Sequence, residues 1–109
     1  MTGIVPEWFV PKSQAESDAP AKFLCKPLTG KGAMQVEAAA MSEGGMYLDK
    51  SIMLAWSLGV TDWEGVEDHE GQPLKFAKDK IELLPMRILE EVGIHIIKSS
   101  RLSADQAKN

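Results

Sequence analysis

Apolar residues come first in two short runs and then at helical spacing along the rest of the chain. Trp8-Phe9-Val10 stands between Pro6 and Pro11. Proline has no N–H to give to a sheet ladder, so this run predicts a short edge strand or an extended arm. Residues 12–21 are polar or small and read as a loop or linker. Phe23-Leu24-Cys25, closed by Pro27, is the second run; the two either pair or lie separately against a helical body. After the punctuation of Leu28 to Gly32, Ala33–Met41 is rich in alanine and methionine, a helix-favouring composition, and Ser42-Glu43-Gly44-Gly45 ends it. A longer helix is expected from about Met46 to Leu58, with Leu48, Ile52, Ala55 and Trp56 on one stripe and Gly59 as its C-terminal cap.

The pattern then changes period. Thr61–Glu67 resembles a strand, and Asp68 to Pro73 reads as a turn into Leu74 and Phe76, so a small hairpin is expected. Ala77–Leu84 has the length of a two-turn helix. Pro85 opens another, because proline is tolerated at the first helical position. In that last helix Leu89, Val92 and Ile96 form a stripe flanked by Ile88 and His95; Leu102 folds back on the body, and Ser103–Asn109 ends as a capped turn or a frayed tail. The expected fold is α+β and mainly helical, with about four helices, a short β-hairpin and a short extended N-terminal segment. Residues 1–21 form the extended arm and linker, and residues 22–109 a single helical globular domain.

Composition narrows the class. A chain of 109 residues suffices for one core without disulfides or metals. The formal net charge of −4, with no basic run, argues against nucleic acid and anionic membrane as partners. One cysteine, Cys25, excludes an internal disulfide and fits a reducing compartment. Neither a signal peptide nor an apolar run approaching the roughly 18 residues of a membrane span is seen.

Candidate chemistry fails on spacing. Asp62, Glu64, Glu67, Asp68 and Glu70 cluster around His69, but setting Gly71 as the sixth residue of a calcium loop puts Val66 first and Ala77 twelfth, neither of them a ligand. Zinc would need more than His69, His95 and Cys25 offer. Gly30-Lys31-Gly32 lacks both the earlier glycine and the following Ser or Thr of a phosphate loop, since Cys25 and Gly32 hold those places. Cys25 in its apolar run reads as a buried structural thiol, and His95 as a histidine at a packing boundary. No catalytic residue, metal or cofactor is expected, and the chain reads as a binding module.

Two sets of residues suit binding. Met34 and Met41, and likewise Met46 and Met53, recur at seven-residue intervals, and methionine adapts to varied partners. These four either pack in the core or form a groove or oligomer contact. Trp63 and Phe76, near Trp56 and the acidic turn, either close the core or anchor a partner.

From the Leu-Gly-Val that ends the second helix onward, the chain resembles the tail assembly chaperones of long-tailed, siphovirus-type phages. The likeness is carried by Thr61-Asp62-Trp63-Glu64-Gly65-Val66, the acidic turn Asp68 to Pro73 with Leu74 and Phe76, then Ile81, Leu84 and Pro85, and an ending from Ser103 to Lys108-Asn109. With a less specific N-terminal layout of Phe23-Leu24 and Pro27-Leu28, it spans about residues 20–109. The resemblance implies a chaperone that coats the tape-measure protein in the bacterial host cytoplasm, self-associates and is absent from the virion. The tail-tube protein is a further candidate partner. The alternatives are a minor structural tail or joining protein kept in the virion, and an unrelated adaptor domain.

Overall fold

The computed structural model describes residues 5–47 and 49–108, with side chains as far as Ser100. Leu48 of the expected stripe, the side chain of Leu102 and the terminal Asn109 therefore lie outside what is described, as do residues 1–4. In chain order the elements are β1 (Glu7–Phe9), a 3-10 turn (Lys12–Gln14), β2 (Lys22–Cys25), α1 (Gly30–Ser42), α2 (Asp49–Gly59), β3 (Val60–Glu64), a 3-10 helix (Lys78–Leu83) and α3 (Met86–Lys108). The fold is α+β and mostly helical, with a short antiparallel sheet.

The two N-terminal apolar runs pair with each other. The sheet order is β1-β2-β3, Trp8 lies opposite Leu24, and Phe9 lies opposite Phe23. β3 joins the other edge of β2, with Phe23 opposite Trp63 and Lys22 opposite Glu64. Leu24 faces Asp62 while Cys25 faces Val60, which leaves Thr61 unmatched as a bulge. A regular strand sends residues three apart to opposite faces; the extra residue lets Val60 and Trp63 both point into the core.

The expected hairpin over residues 61–76 is present only as a single bridge between Glu67 and Pro73. Three local features explain its shortness. Gly65, at φ 72°, turns the chain out of β3. The Asp68 carboxylate accepts from the N–H groups of Glu70 (2.8 Å) and Gln72 (3.0 Å), which commits the next residues to a tight turn. Pro73 then has no N–H to extend a ladder, and the returning chain is held by Leu74 N–H donating to the Val66 carbonyl at 2.9 Å.

Helix boundaries moved for equally local reasons. Thr29 Oγ1 accepts from Gly32 N–H at 3.1 Å and caps α1, which begins at Gly30 and not at the expected Ala33. The Glu43 carboxylate takes the free N–H groups of Lys50 (3.0 Å) and Ser51 (2.8 Å), so α2 begins at Asp49 rather than near Met46. The two-turn helix expected at 77–84 is present as a 3-10 helix over Lys78–Leu83. The last helix continues to Lys108, where a turn or frayed tail was expected from Ser103.

Helices α2 and α3 pack against each other and against the inner face of the sheet. Trp56, Val92, Ile96 and Phe23 are fully buried at the centre. The helices approach closely because each gives a glycine to the other's isoleucine. A Cβ on Gly59 would meet Ile96 Cγ2 at 2.7 Å, and one on Gly93 would meet Ile52 Cγ2 at 2.8 Å. Gly59, expected as the C-terminal cap, is the last residue of α2 and is not among the positive-φ glycines; contact with Ile96 is what requires it. Ser100 ties the loop before α1 to this layer, accepting from Leu28 N–H and donating to the Ile96 carbonyl, both at 2.7 Å.

Candidate functional site

Helix α1 buries Gly32, Val36 and Ala40, a 3.6-period stripe that turns the opposite face to solvent. Met34 and Met41 stand on that outer face, 73% and 74% exposed. Ala38, also exposed, lies between them at helical spacing, so the face has a shallow centre with a flexible thioether on either side. Met46 follows the Gly44-Gly45 turn and is 60% exposed. Both of those glycines have positive φ, at 81° and 85°, which lets the chain reverse in the space of a few residues.

The other three sequence candidates have different surroundings. Met53 is half-buried on α2 against the core. Trp63 is only 4% exposed and forms one cluster with Phe76. Its ring meets Phe76 edge-to-face at 5.0 Å and Phe23 at 6.1 Å, and its indole N–H donates to the Leu74 carbonyl at 2.7 Å. Trp63 thus joins the return of the acidic turn to the sheet, and Phe76 covers it from a half-buried position. Of the six residues, Met34, Met41 and Met46 are open to a partner, and Trp63 is enclosed.

Trp8 and Met86 are among the exposed apolar side chains that sequence reasoning passed over as candidates. Trp8 is 42% exposed, with the Lys22 ammonium 5.1 Å from its ring, on the face of the sheet opposite Phe9. Strand alternation carried that information, since Phe9 stacks inward on His95 with centroids 3.8 Å apart. Met86 is 75% exposed, and its place directly after Pro85, at the start of a helix, was the available signal.

The pKa values of His95, Asp68 and Cys25 are shifted by their surroundings. Burial lowers the pKa of His95, partly opposed by the negative charge of Glu7. Asp68 is held below the usual carboxylate range by the N–H groups of Gln72 and Glu70, so the centre of the acidic turn is occupied by its own backbone. Among the described residues no group of three or more His, Cys, Asp or Glu is placed to hold a metal ion. No helix of the described residues is long and apolar enough to cross a membrane.

Cys25 is buried beside the Phe23 carbonyl, and burial pushes its thiol up to about 12 from 9.0. Since the thiolate is the reactive form, native Cys25 should react with an aromatic disulfide reagent at pH 8 at least about a hundredfold more slowly than the urea-unfolded chain. Equal rates in the two states would show that the thiol is open to solvent.

No protein-family model, no curated protein and no solved structure matches this chain.

Proposed function

We propose that this domain is a tail assembly chaperone that binds and solubilises a tape-measure protein while a phage tail is built. The observation that carries the reading is the outward methionine surface of α1 and the turn after it: Met34, Met41 and Met46 are exposed although methionine is costly to leave in water. Long unbranched thioethers repack at little cost, so one surface accepts successive, non-identical turns of a long helix. A chaperone must also release its client. Affinity of about −8 kcal/mol per site, in the micromolar range, leaves each copy displaceable, while many copies along one helix hold it firmly. The resemblance to the phage family over about residues 20–109 supports this choice of client.

The test is co-expression with the tape-measure protein that this reading expects to be encoded beside the chain, compared with that protein alone, for the native chain and for Met34→Glu/Met41→Glu/Met46→Glu. The native chain should bring the tape measure into the soluble fraction, and the triple variant, folded by circular dichroism, should not. A tape measure equally soluble without this domain would end the chaperone reading. Recovery of the chain from purified virions would replace it with a structural tail component.

A further inference from the structure

We propose that the groove between the first turns of α2 and α3 is a second docking site, which takes the apolar face of a partner protein's helix flanked by lysine or arginine. The groove encloses about 490 Å³. Its floor is Ile52 and Leu84, both buried, and its walls are Met53 and Leu89, both half-buried. Met86 forms an exposed lip, and Tyr47 stands at one end with its hydroxyl donating to Glu37 Oε1 at 2.6 Å.

The two helices contribute in the same pattern. α2 supplies Asp49, Ile52 and Met53, and α3 supplies Met86, Leu89 and Glu90, three residues each at positions that share one helix face. Each set therefore brings apolar side chains and one carboxylate. Asp49 and Glu90 are the only charged residues lining the groove, and neither joins a salt bridge among the described residues. Arg87, the nearest base on α3, is directed to Glu91 at 3.6 Å. An apolar channel bordered by two unmatched carboxylates is complementary to an amphipathic helix whose apolar stripe is flanked by cations.

The same charges argue against the other occupants. Two copies meeting groove to groove would bring Asp49 and Glu90 against the identical carboxylates of the second copy. A nucleic acid or an anionic membrane would meet the carboxylates with its own negative charge. The groove is lined by α2, α3 and the residues Tyr47 and Leu84 that precede them, whereas the chaperone reading rests on Met34, Met41 and Met46, none of which lines it, so separate variants test the two proposals.

The test is amide NMR of the full chain titrated with a designed amphipathic peptide of about 18 leucines and lysines, long enough for five helical turns. Its controls are the same peptide with glutamate in place of lysine, and a scrambled leucine–lysine peptide. The lysine peptide should shift amides at 49–53 and 86–90 with a Kd of about tens of micromolar. Asp49→Lys/Glu90→Lys should weaken it at least about tenfold, while Glu70→Lys/Glu82→Lys, an equal change of charge elsewhere, should stay within about twofold. If Asp49→Lys disturbs the start of α2, Glu90→Lys alone replaces it, with Glu82→Lys as its charge-matched control. The proposal is overturned by shifts centred on Met34 and Met41 or on the sheet, by equal binding of the glutamate or scrambled peptide, or by equal weakening in the control variant. Absence of binding at about 1 mM overturns it too. Shifts at 49–53 and 86–90 that follow protein concentration without peptide would assign the groove to a second copy.

Discussion

Replacing Trp56 with alanine should destabilise the domain by about 3–5 kcal/mol, the range for deleting a fully buried aromatic side chain. Trp56 is 0% exposed and sits where α2, α3 and the sheet meet. Its ring packs edge-to-face on Phe23 of β2 at 5.3 Å, and its indole N–H donates to the Leu89 carbonyl of α3 at 2.8 Å. Alanine would leave a cavity bordered by all three layers and remove a hydrogen bond worth about 0.5–1.5 kcal/mol. Domains of this size have total stabilities of roughly 5–15 kcal/mol, so the loss takes a large share of the whole. Urea melts of the native chain and the variant give the difference directly. A loss below about 1.5 kcal/mol would mean that the neighbours collapse into the space, and the central role assigned to Trp56 would be wrong.

Trp63→Ala should cost a similar amount, about 3–5 kcal/mol, by a different route. Trp63 holds an edge of the core, because its ring separates Phe23 from Phe76 and its N–H fastens the Leu74 carbonyl. Losing it frees the return of the acidic turn as well as opening a cavity. Trp63→Phe keeps a ring but leaves the carbonyl without that donor, and should fall between the native chain and the alanine variant. Binding separates the two roles of a tryptophan at this position. Measured well below the variant's melting temperature, binding of the proposed client should survive in Trp63→Ala, because the methionine surface proposed to bind it lies on α1 and the turn after it. A variant that melts like the native chain and no longer binds would make Trp63 an anchor; one that is both stable and fully binding would leave it neither role.

Much of the architecture is written in local pattern. Ile52, Ala55 and Trp56 repeat at helical spacing, and all three are buried on α2. Leu89, Val92 and Ile96 repeat in the same way on α3, with Val92 and Ile96 buried, Leu89 half-buried and Pro85 just before the first turn. Such stripes are readable because a helix joins residues three and four apart, so sequence neighbours report on shared surroundings. The start of α3 and the turn from Asp68 to Gly71 are equally local, since proline and aspartate act on backbone groups within a few residues.

Partners across the chain are a different matter. Nothing within Thr61–Glu67 indicates that its ladder runs to β2, some forty residues earlier, instead of to the segment after Pro73. That choice depends on Phe23, Trp63 and Trp56 sharing one core, a contact that exists only once the helices are in place. The requirement for Gly59 and Gly93 likewise arises from Ile96 and Ile52 on the facing helix.

The candidate site divides along the same line. The seven-residue spacing by itself determined that Met34 and Met41 share one face of a helix, while leaving that face free to be inside or outside. Tertiary packing decided it. Val36 and Ala40 took the buried side of α1, so the methionines turned outward, while Met53, next to the buried Ile52, was drawn into the side of a groove. An apolar stripe marks a surface that will be covered, but which of two apolar faces is covered from within depends on the combined shape of every element packed against it. Periodicity along one segment carries no record of that shape.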